Sequence, residues 1–262
     1  MKIGLLTKRT TMLAGKLIEF FETNNHEVTP YTLADLTIDK SLLNNDYYIL
    51  KSKQLFFLYA GYFIEANNLP IFPNPNLTYK HKNRIEAHYL IKKAELPSPD
   101  YFFGSYKALK QNLLNTHFPL IIKPTMGSGS RGVRIINRIE DLKPMKGQLI
   151  YLEKYIEGTH YNVYFIGNDI CALEKPPLSD EHAEMTKVKI SSDMKEFISK
   201  WTNRYDIPFG HLDLVREEST GKLYVVDPGT FPEFDNWKCE GDPVSKIGNI
   251  LLEKYKNLKN KK

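Results

Sequence analysis

The sequence predicts a protein of mixed α/β and α+β class with an N-terminal parallel sheet, and three features of the chain support this fold class. The N-terminal part alternates short apolar strands with helices that carry apolar residues on one face, which is typical of a parallel sheet. A strand, a glycine-rich loop and a second strand follow in the middle, within FPLIIKPTMGSGSRGVRII. Near the C-terminus, the strands HLDLVRE and KLYVVDPGTF each contain an aspartate and are joined by the turn Ser219-Thr220-Gly221.

The composition is that of a globular protein, since 42% of the 262 residues are hydrophobic and 26% are charged. The sequence has no run of about 18 apolar residues, the length that a membrane-spanning helix needs. The first strand leads into a charged turn instead of a signal-peptide core, so we expect a cytoplasmic protein without a membrane contact. Cys171 and Cys239 are far apart and lack metal-site spacing. We therefore expect two buried thiols, with neither a disulfide nor a zinc site.

The net charge of +5 fits an anionic small-molecule substrate. The terminal KNLKNKK supplies much of this charge, and we expect it to be a solvated tail. Nucleic-acid binding is not expected, because the basic residues are not interleaved with aromatic residues along one surface. The sequence leaves the oligomeric state open between a monomer and a weak dimer.

The N-terminal elements place basic residues at one edge of the predicted sheet. KIGLLT is the first strand, Thr10 or Thr11 is positioned to cap the helix that follows, and further strands are predicted over 27–31 and 46–50. Because ligands meet parallel sheets at the carboxyl ends of the strands, the basic residues there are candidates for binding a substrate. They are Lys8, Arg9, Lys51 and Lys53. For any one of them, a role in solubility alone is an equally good interpretation.

An aromatic-rich amphipathic helix is predicted over 55–69, and the proline-rich LPIFPNP after it is a strand followed by a loop. A boundary belongs here. A helix over 83–94 then leads through a Leu-Pro-Ser-Pro turn into a strand at 101–103. His81, His88 and His117 lack the spacing of metal ligands, and we predict no role for them.

The glycine-rich loop predicts contact with phosphate groups. Leu120 to Ile122 suit a buried strand, Lys123 closes it, and Pro124 prevents its continuation. Glycines then allow backbone N–H groups to approach phosphate oxygens closely, with hydroxyl and cationic side chains between them. An ordinary flexible hairpin is the alternative, whereas a Walker loop is excluded because no GK[ST] follows. The loop residues are Gly127, Ser128, Gly129, Ser130, Arg131 and Gly132.

The second half of the chain predicts a metal site. Strands are indicated by LIYLEKYI, NVYFIG and ICALEKPPL, with Lys175 closing the last of them, and a helix is predicted over 193–205. Asp213 lies within one late strand and Asp227 closes the next. Carboxylates on adjacent antiparallel strands face each other at about 5 Å, which suits Mg²⁺ held against phosphate oxygens. Pairing of these acids with a lysine is the alternative.

The order of these motifs resembles the ATP-grasp superfamily over most of the chain. The resemblance implies a nucleotide held between two α+β lobes behind an N-terminal lobe, with lobes at 1–78, 79–150 and 151–262, and with ATP and Mg²⁺ bound. Lys123 would contact the α-phosphate and the adenine side, the glycine loop would cover the β- and γ-phosphates, and Lys175 would reach the transferred phosphate. Asp213 and Asp227 would hold the metal. The remaining residues are Arg84 at the entrance loop, Glu153, Lys154, Tyr155 and Ile156 in the adenine hinge, and Glu157 near the ribose.

The chain departs from the superfamily pattern at one position. Members usually place an asparagine two residues after the second metal-binding acid, whereas this chain has Gly229 there. Glycine offers no side-chain ligand, which puts a second magnesium in doubt. Water, Glu233 or Asp235 would have to take its place.

Two branches of the superfamily predict different chemistry. The GSGSRGV loop resembles that of RimK-type carboxylate–amine ligases, which form an acyl phosphate. The segments IGLLTKR, YILKS, NRIEAHYLI, EKPPL and VVDPGTFPEF resemble inositol-trisphosphate kinase-like proteins. Four cations at the N-terminal edge suit a substrate with several phosphates, so the sequence favours a kinase acting on a polyanion such as an inositol phosphate. The ligase is the alternative, and a non-catalytic ATP-binding regulatory protein is a third hypothesis.

Overall fold

The computed structural model describes residues 1–126, 132–144, 149–178 and 184–259. The N-terminal sheet has the order β2-β1-β3-β4, and every pair of neighbouring strands in it is parallel, as predicted. Thr11 caps the first helix by accepting a hydrogen bond from the backbone N–H of Ala14. The elements up to the proline turn are β1 (Lys2–Leu6), α1 (Met12–Thr23), β2 (Glu27–Tyr31), β3 (Tyr47–Leu50), α2 (Leu55–Ala66), β4 (Ile71–Phe72), α3 (Pro75–Lys82) and α4 (Arg84–Lys93).

Helix α3 was not predicted. Its sequence, PNLTYKHK, lacks an apolar stripe, and its local start signals are Asn74, which accepts a hydrogen bond from the N–H of Leu77, and Pro75 at the first helical position. Asn83 ends α3 and also caps α4, because its side chain accepts from the N–H groups of Ile85 and Glu86. The two helices therefore follow each other without a loop.

The central sheet is antiparallel and has the order β5-β8-β6-β7. Its core is formed by Leu109, Leu120, Ile136 and Leu152, together with other apolar residues of this segment. The division of the chain at residues 78 and 150 stays a prediction, and β8, which spans the second boundary, pairs with both β5 and β6 of this sheet. The elements are β5 (Tyr101–Gly104), α5 (Tyr106–Asn112), β6 (Leu120–Lys123), β7 (Arg134–Ile136) and β8 (Ile150–Lys154).

The C-terminal sheet is also antiparallel, with the order β11-β10-β9-β12-β13. Trp201 of α6 and Leu90 of α4 pack in one apolar cluster with Phe165 of this sheet. A second cluster joins the sheet to the N-terminal lobe, because Ile166 and Leu251 pack in one core with Ile3 of β1. The elements are β9 (Gly158–Ile166), β10 (Asp169–Lys175), β11 (Thr186–Lys187), α6 (Ser192–Tyr205), β12 (Phe209–Glu217), β13 (Leu223–Gly229) and α7 (Pro243–Lys259).

One expectation from the sequence was wrong. Cys171 and Cys239 form a disulfide, with their Cα atoms 5.7 Å apart, because the segment after β13 folds back onto β10. Helix α7 continues to Lys259, and in the described part of KNLKNKK the side chains of Lys256, Asn257 and Lys259 are exposed, whereas Ile247 and Leu251 earlier in the helix are buried in the shared core. No helix in the described ranges has both the length and the apolar character needed to cross a bilayer.

Candidate active site

A cavity of about 890 Å³ lies where the three sheets meet. Its walls come from the carboxyl ends of β1 and β3, from β6 and the end of β8, from the C-terminal sheet, and from residues 231–236. Most of the site residues predicted from the sequence line it, although they are spread over the whole chain. They are Lys8, Arg9, Lys51, Lys53, Arg84, Lys123, Glu153, Lys154, Tyr155, Ile156, Lys175, Asp213 and Asp227.

Some predicted nucleotide residues lie elsewhere. Glu157 is exposed and does not line the cavity; its backbone carbonyl accepts a hydrogen bond from the N–H of Glu218 at 3.0 Å. Gly132 has a φ of +73°, a left-handed conformation that favours glycine, but it does not line the cavity either. The predicted residues Gly127, Ser128, Gly129, Ser130 and Arg131 lie outside the described residues.

The four cations of the N-terminal edge have different surroundings. Lys8 and Arg9 are exposed at the mouth of the cavity. Lys51 is only 7% exposed; it forms an ion pair with Glu233, and its ammonium group lies 5.7 Å from the centre of the Phe231 ring. Burial lowers the pKa of Lys53, while the negative charges of Asp227 and Asp213 act to raise it. Lys51 is thus already paired, and Lys53 lines the same cavity as the two aspartates, whereas Lys8 and Arg9 are exposed.

Lys123 is held by a buried carboxylate. Its ammonium group forms an ion pair with Glu153, which is 2% exposed and lies on the neighbouring strand β8. Burial alone would raise the pKa of Glu153, but the charge of Lys123 and contacts with His88 outweigh burial and lower it to about 2. The Nζ of Lys154 instead donates to the carbonyl oxygens of His117 and Phe118, at 3.1 and 3.0 Å, which directs this side chain to the loop before β6.

The two aspartates predicted to hold a metal lie opposite each other. Asp213 of β12 and Asp227 of β13 are partners in the antiparallel register. Lys175 Nζ lies 3.0 Å from Asp213 Oδ1, and Arg84 Nη1 lies 3.6 Å from Asp227 Oδ1. Burial raises the pKa of Asp227, whereas for Asp213 the charge of Lys175 overcomes burial and lowers the pKa. The pairing with lysine, which was the alternative to a metal site, is thus present for Asp213.

Two carboxylates suit magnesium better than a metal ion whose ligands must all be protein side chains. The described residues contain no cluster of three or more His, Cys, Asp or Glu side chains arranged around a metal position. Mg²⁺ commonly takes one or two carboxylates and completes its shell with phosphate oxygens and water. The donor set of Asp213 and Asp227 fits that pattern. Of the two acids suggested as substitutes for the missing asparagine, Glu233 is engaged by Lys51.

Several residues that line the cavity, or lie directly behind its wall, were not identified as site residues from the sequence. His160, Asn162 and His211 line the cavity beside Asp213, and Tyr151 and His88 lie behind Glu153. A usable signal was present in two cases, because Tyr151 and His211 each stand two positions from a predicted site residue on the same strand and therefore share its face. His88 gave no such signal, since its partner is 63 positions away.

Comparisons with known proteins agree with this geometry. Residues 81–178 match the ATP-grasp domain. The formate-dependent phosphoribosylglycinamide formyltransferase of Saccharolobus solfataricus is 32% identical over 82 residues, a stretch that covers 30% of this chain and 21% of that protein. The chain therefore spans about a fifth of the length of this curated relative.

Solved structures resemble the chain over almost its whole length. A RimK domain ATP-grasp protein from Sphaerobacter thermophilus has a TM-score of 0.75 at 12% identity and covers 96% of this chain and 100% of its own. The ATP-grasp ligase PsnB, solved with a minimal precursor, Mg and ADP, has a TM-score of 0.69 at 13% identity, covering 97% and 98%. D-alanine–D-alanine ligase from Bacillus anthracis, solved with ATP, has a TM-score of 0.71 at 16% identity, covering 100% and 99%.

These relatives support the RimK-type resemblance and do not show the resemblance to inositol-trisphosphate kinase-like proteins. At these identities the structural likeness shows the fold alone. The domain match and the structural likeness together confirm the fold predicted from the sequence: residues 81–178 match the ATP-grasp domain, and the chain has the ATP-grasp fold.

Proposed function

We propose that this protein is an ATP-dependent carboxylate–amine ligase that activates its carboxylate substrate as an acyl phosphate. One observation carries the proposal: of the four cations at the N-terminal edge, Lys51 is paired with Glu233, and Lys53 lies in the cavity that Asp213 and Asp227 also line. Lys8 and Arg9 remain for the acceptor, which suits a carboxylate better than a substrate with several phosphates. The kinase favoured by the sequence depended on all four cations and loses its main support.

The nucleotide end of the cavity is assigned to the central lobe. Lys123 would meet the α-phosphate and the adenine side, and the apolar side chains of Ile121, Val133 and Ile156 line the same wall. An adenine ring buried against such side chains gains hydrophobic stabilisation. In this proposal ATP would lie between β6 and the C-terminal sheet, with its phosphates towards the acid pair.

The phosphate end is assigned to the two aspartates. Asp213 and Asp227 would hold Mg²⁺, which when bound neutralises charge on the transferring phosphoryl group. Lys175 and Lys53 would add positive charge on either side of the γ-phosphate. The chain's own work at this end is positioning and charge neutralisation, which supply most of the catalysis of phosphoryl transfer.

The proposed reaction has two steps, phosphorylation of the carboxylate and attack of the amine on the acyl phosphate. A carboxylate oxygen of the acceptor, held by Lys8 and Arg9, attacks the γ-phosphorus; a C–O–P linkage forms, the bond to the β-phosphate oxygen breaks, and ADP leaves. The amine nitrogen of the second substrate then attacks the acyl carbon, the C–N bond forms, the C–O bond to the phosphate breaks, and inorganic phosphate leaves. The amine loses one proton to solvent. Enclosure between the lobes limits hydrolysis of the acyl phosphate.

Release of ADP tests the proposal. The protein is incubated with ATP and magnesium against a panel of carboxylic acids, each with and without an amine, and against a panel of inositol phosphates. We expect ADP release with a carboxylic acid, and a hydroxamate when hydroxylamine replaces the amine. Release of ADP with an inositol phosphate alone, without hydroxamate from any acid, would overturn the ligase and restore the kinase.

A further inference from the structure

A series of hydrogen-bonded polar side chains lies behind Lys123, and three of its members, Tyr151, His88 and Ser98, were assigned no role from the sequence. Glu153 binds Lys123 through one carboxylate oxygen, and its other oxygen accepts a hydrogen bond from the hydroxyl of Tyr151 at 2.8 Å. The Tyr151 hydroxyl also contacts Nε2 of His88, and Nδ1 of His88 lies 3.3 Å from the hydroxyl of Ser98. The series therefore runs from the cavity wall to the proline turn before β5.

The hydrogen bonds of this series have a defined direction. A carboxylate can only accept, so Tyr151 donates its single proton to Glu153. The Tyr151 oxygen must then accept from His88, which places a proton on Nε2 of that imidazole. Nδ1 of the same ring contacts the hydroxyl of Ser98 and completes the series. Each member thus orients the next, from Ser98 to Lys123.

The members are packed as well as hydrogen-bonded. His88 is 8% exposed and Tyr151 is 1% exposed, and Tyr101 lies against both rings, with centroids at 4.5 and 5.8 Å. The three rings come from α4, β8 and β5, so the series also ties a helix outside the central sheet to the strand that carries Glu153. Tightly packed rings in one arrangement leave the Glu153 carboxylate little freedom to turn.

We infer that Tyr151 and His88 are positioning residues for the nucleotide, because they fix the Glu153 carboxylate and thereby the ammonium group of Lys123. A lysine side chain has four rotatable bonds and is poorly ordered unless its charge is held. Without the Tyr151 hydroxyl, the Glu153 oxygen that does not bind Lys123 loses the hydrogen bond from Tyr151. The carboxylate can then turn, and the ammonium group of Lys123 would move with it, away from the nucleotide. The inference rests on the nucleotide end of the proposed function and is independent of the choice between ligase and kinase.

The first test measures ADP affinity by calorimetry on the full chain, without an acceptor. Tyr151→Phe removes one hydroxyl and should weaken ADP binding about tenfold, as expected when a hydrogen bond to a charged group is lost. Tyr101→Phe is the matched control, since it removes a neighbouring hydroxyl that is not part of the hydrogen-bonded series from Ser98 to Lys123. This variant should bind ADP within twofold of wild type. Thermal unfolding checks that all variants are folded.

Two substitutions of His88 separate positioning from packing. His88→Gln places an amide N–H near the position of Nε2 and should retain most of the ADP affinity, whereas His88→Leu keeps the volume without a donor and should lose about tenfold. In a Lys123→Gln background, Tyr151→Phe should have almost no further effect on ADP affinity, because the residue on which it acts has gone.

Each outcome decides one question. Folded Tyr151→Phe and His88→Leu variants that bind ADP as wild type does would overturn the inference, as would an undiminished effect of Tyr151→Phe in the Lys123→Gln background. A wild-type protein that fails to bind ADP would instead overturn the proposed function, and this inference with it.

Discussion

The imidazole ring of His211 occupies the space into which a side chain at Gly229 would project. The two residues are partners in the register of β12 and β13, two pairs along from Asp213 and Asp227. A Cβ atom at position 229 would lie 1.9 Å from Cε1 and 2.4 Å from Nδ1 of the ring. The glycine in place of the expected asparagine is therefore matched by a bulky neighbour on the opposite strand.

Gly229→Ala should lower the free energy of unfolding by about 1–3 kcal/mol, because His211 must move away from a packed position. Urea unfolding measures this change. Gly104→Ala is the control, since a Cβ there meets its neighbours at 3.8 Å, an ordinary contact. The double variant His211→Ala/Gly229→Asn should recover most of the loss. Equal stability of Gly229→Ala and wild type would show that the ring moves freely.

Lys123→Ala should weaken both nucleotide binding and the fold. It leaves the buried Glu153 carboxylate without its cation, and breaking a buried ion pair in this way costs about 3–5 kcal/mol. Chemical unfolding and ADP calorimetry measure the two effects separately. The double variant Lys123→Ala/Glu153→Gln should recover stability without recovering ADP affinity. Recovery of both would remove Lys123 from the nucleotide site.

Lys8→Ala combined with Arg9→Ala should raise the KM for the carboxylate substrate and leave the KM for ATP nearly unchanged, because both side chains lie at the N-terminal end of the cavity. Lys51→Ala is the contrasting variant. It leaves Glu233 unpaired and should lower the melting temperature. Steady-state kinetics and thermal unfolding distinguish the two variants, and an unchanged acceptor KM in the first would place the substrate elsewhere.

Acidification should destabilise the protein through His81. Nδ1 of this buried ring lies 2.6 Å from the carbonyl oxygen of Leu77, and Nε2 has no hydrogen-bond partner in the described part of the chain. Burial lowers the pKa of His81 to about 3, whereas the pKa of a histidine in the unfolded chain is about 6.5. Between these values the unfolded chain binds a proton that the folded chain does not, so stability falls as the pH falls.

The expected loss from His81 is about 2 kcal/mol on going from pH 8 to pH 5. Urea unfolding at both pH values measures it. His81→Gln should lose less stability than wild type over this interval, whatever its stability at pH 8, and His117→Gln serves as a control outside the core. The same pH dependence in His81→Gln and wild type would contradict the assignment.

The sequence predicted the local elements better than the partners of their side chains. The cap at Thr11 and the placement of Asp213 opposite Asp227 follow from short-range rules, and the structure confirms both. The pairing of Lys51 with Glu233 joins residues 182 positions apart, and the disulfide joins residues 68 apart. No periodicity in the sequence encodes contacts between residues so far apart. The sequence alone therefore could not show that Lys51 has a partner within the protein and is not free to bind a substrate. Helix α7, by contrast, was readable, because Val244, Ile247 and Leu251 recur at helical spacing.

The core shared by the N-terminal and C-terminal sheets divides the cavity between two separately packed parts of the molecule. Those two sheets form a single base, whereas the central sheet has a core of its own. Backbone hydrogen bonds join the central segment to the base, from Val225 to Pro97 at 2.8 Å and from Glu218 to Glu157 at 3.0 Å. Lys123 and Glu153 belong to the central sheet, whereas Asp213 and Asp227 belong to the base. A nucleotide held by both pairs would therefore bridge two cores that pack independently of each other.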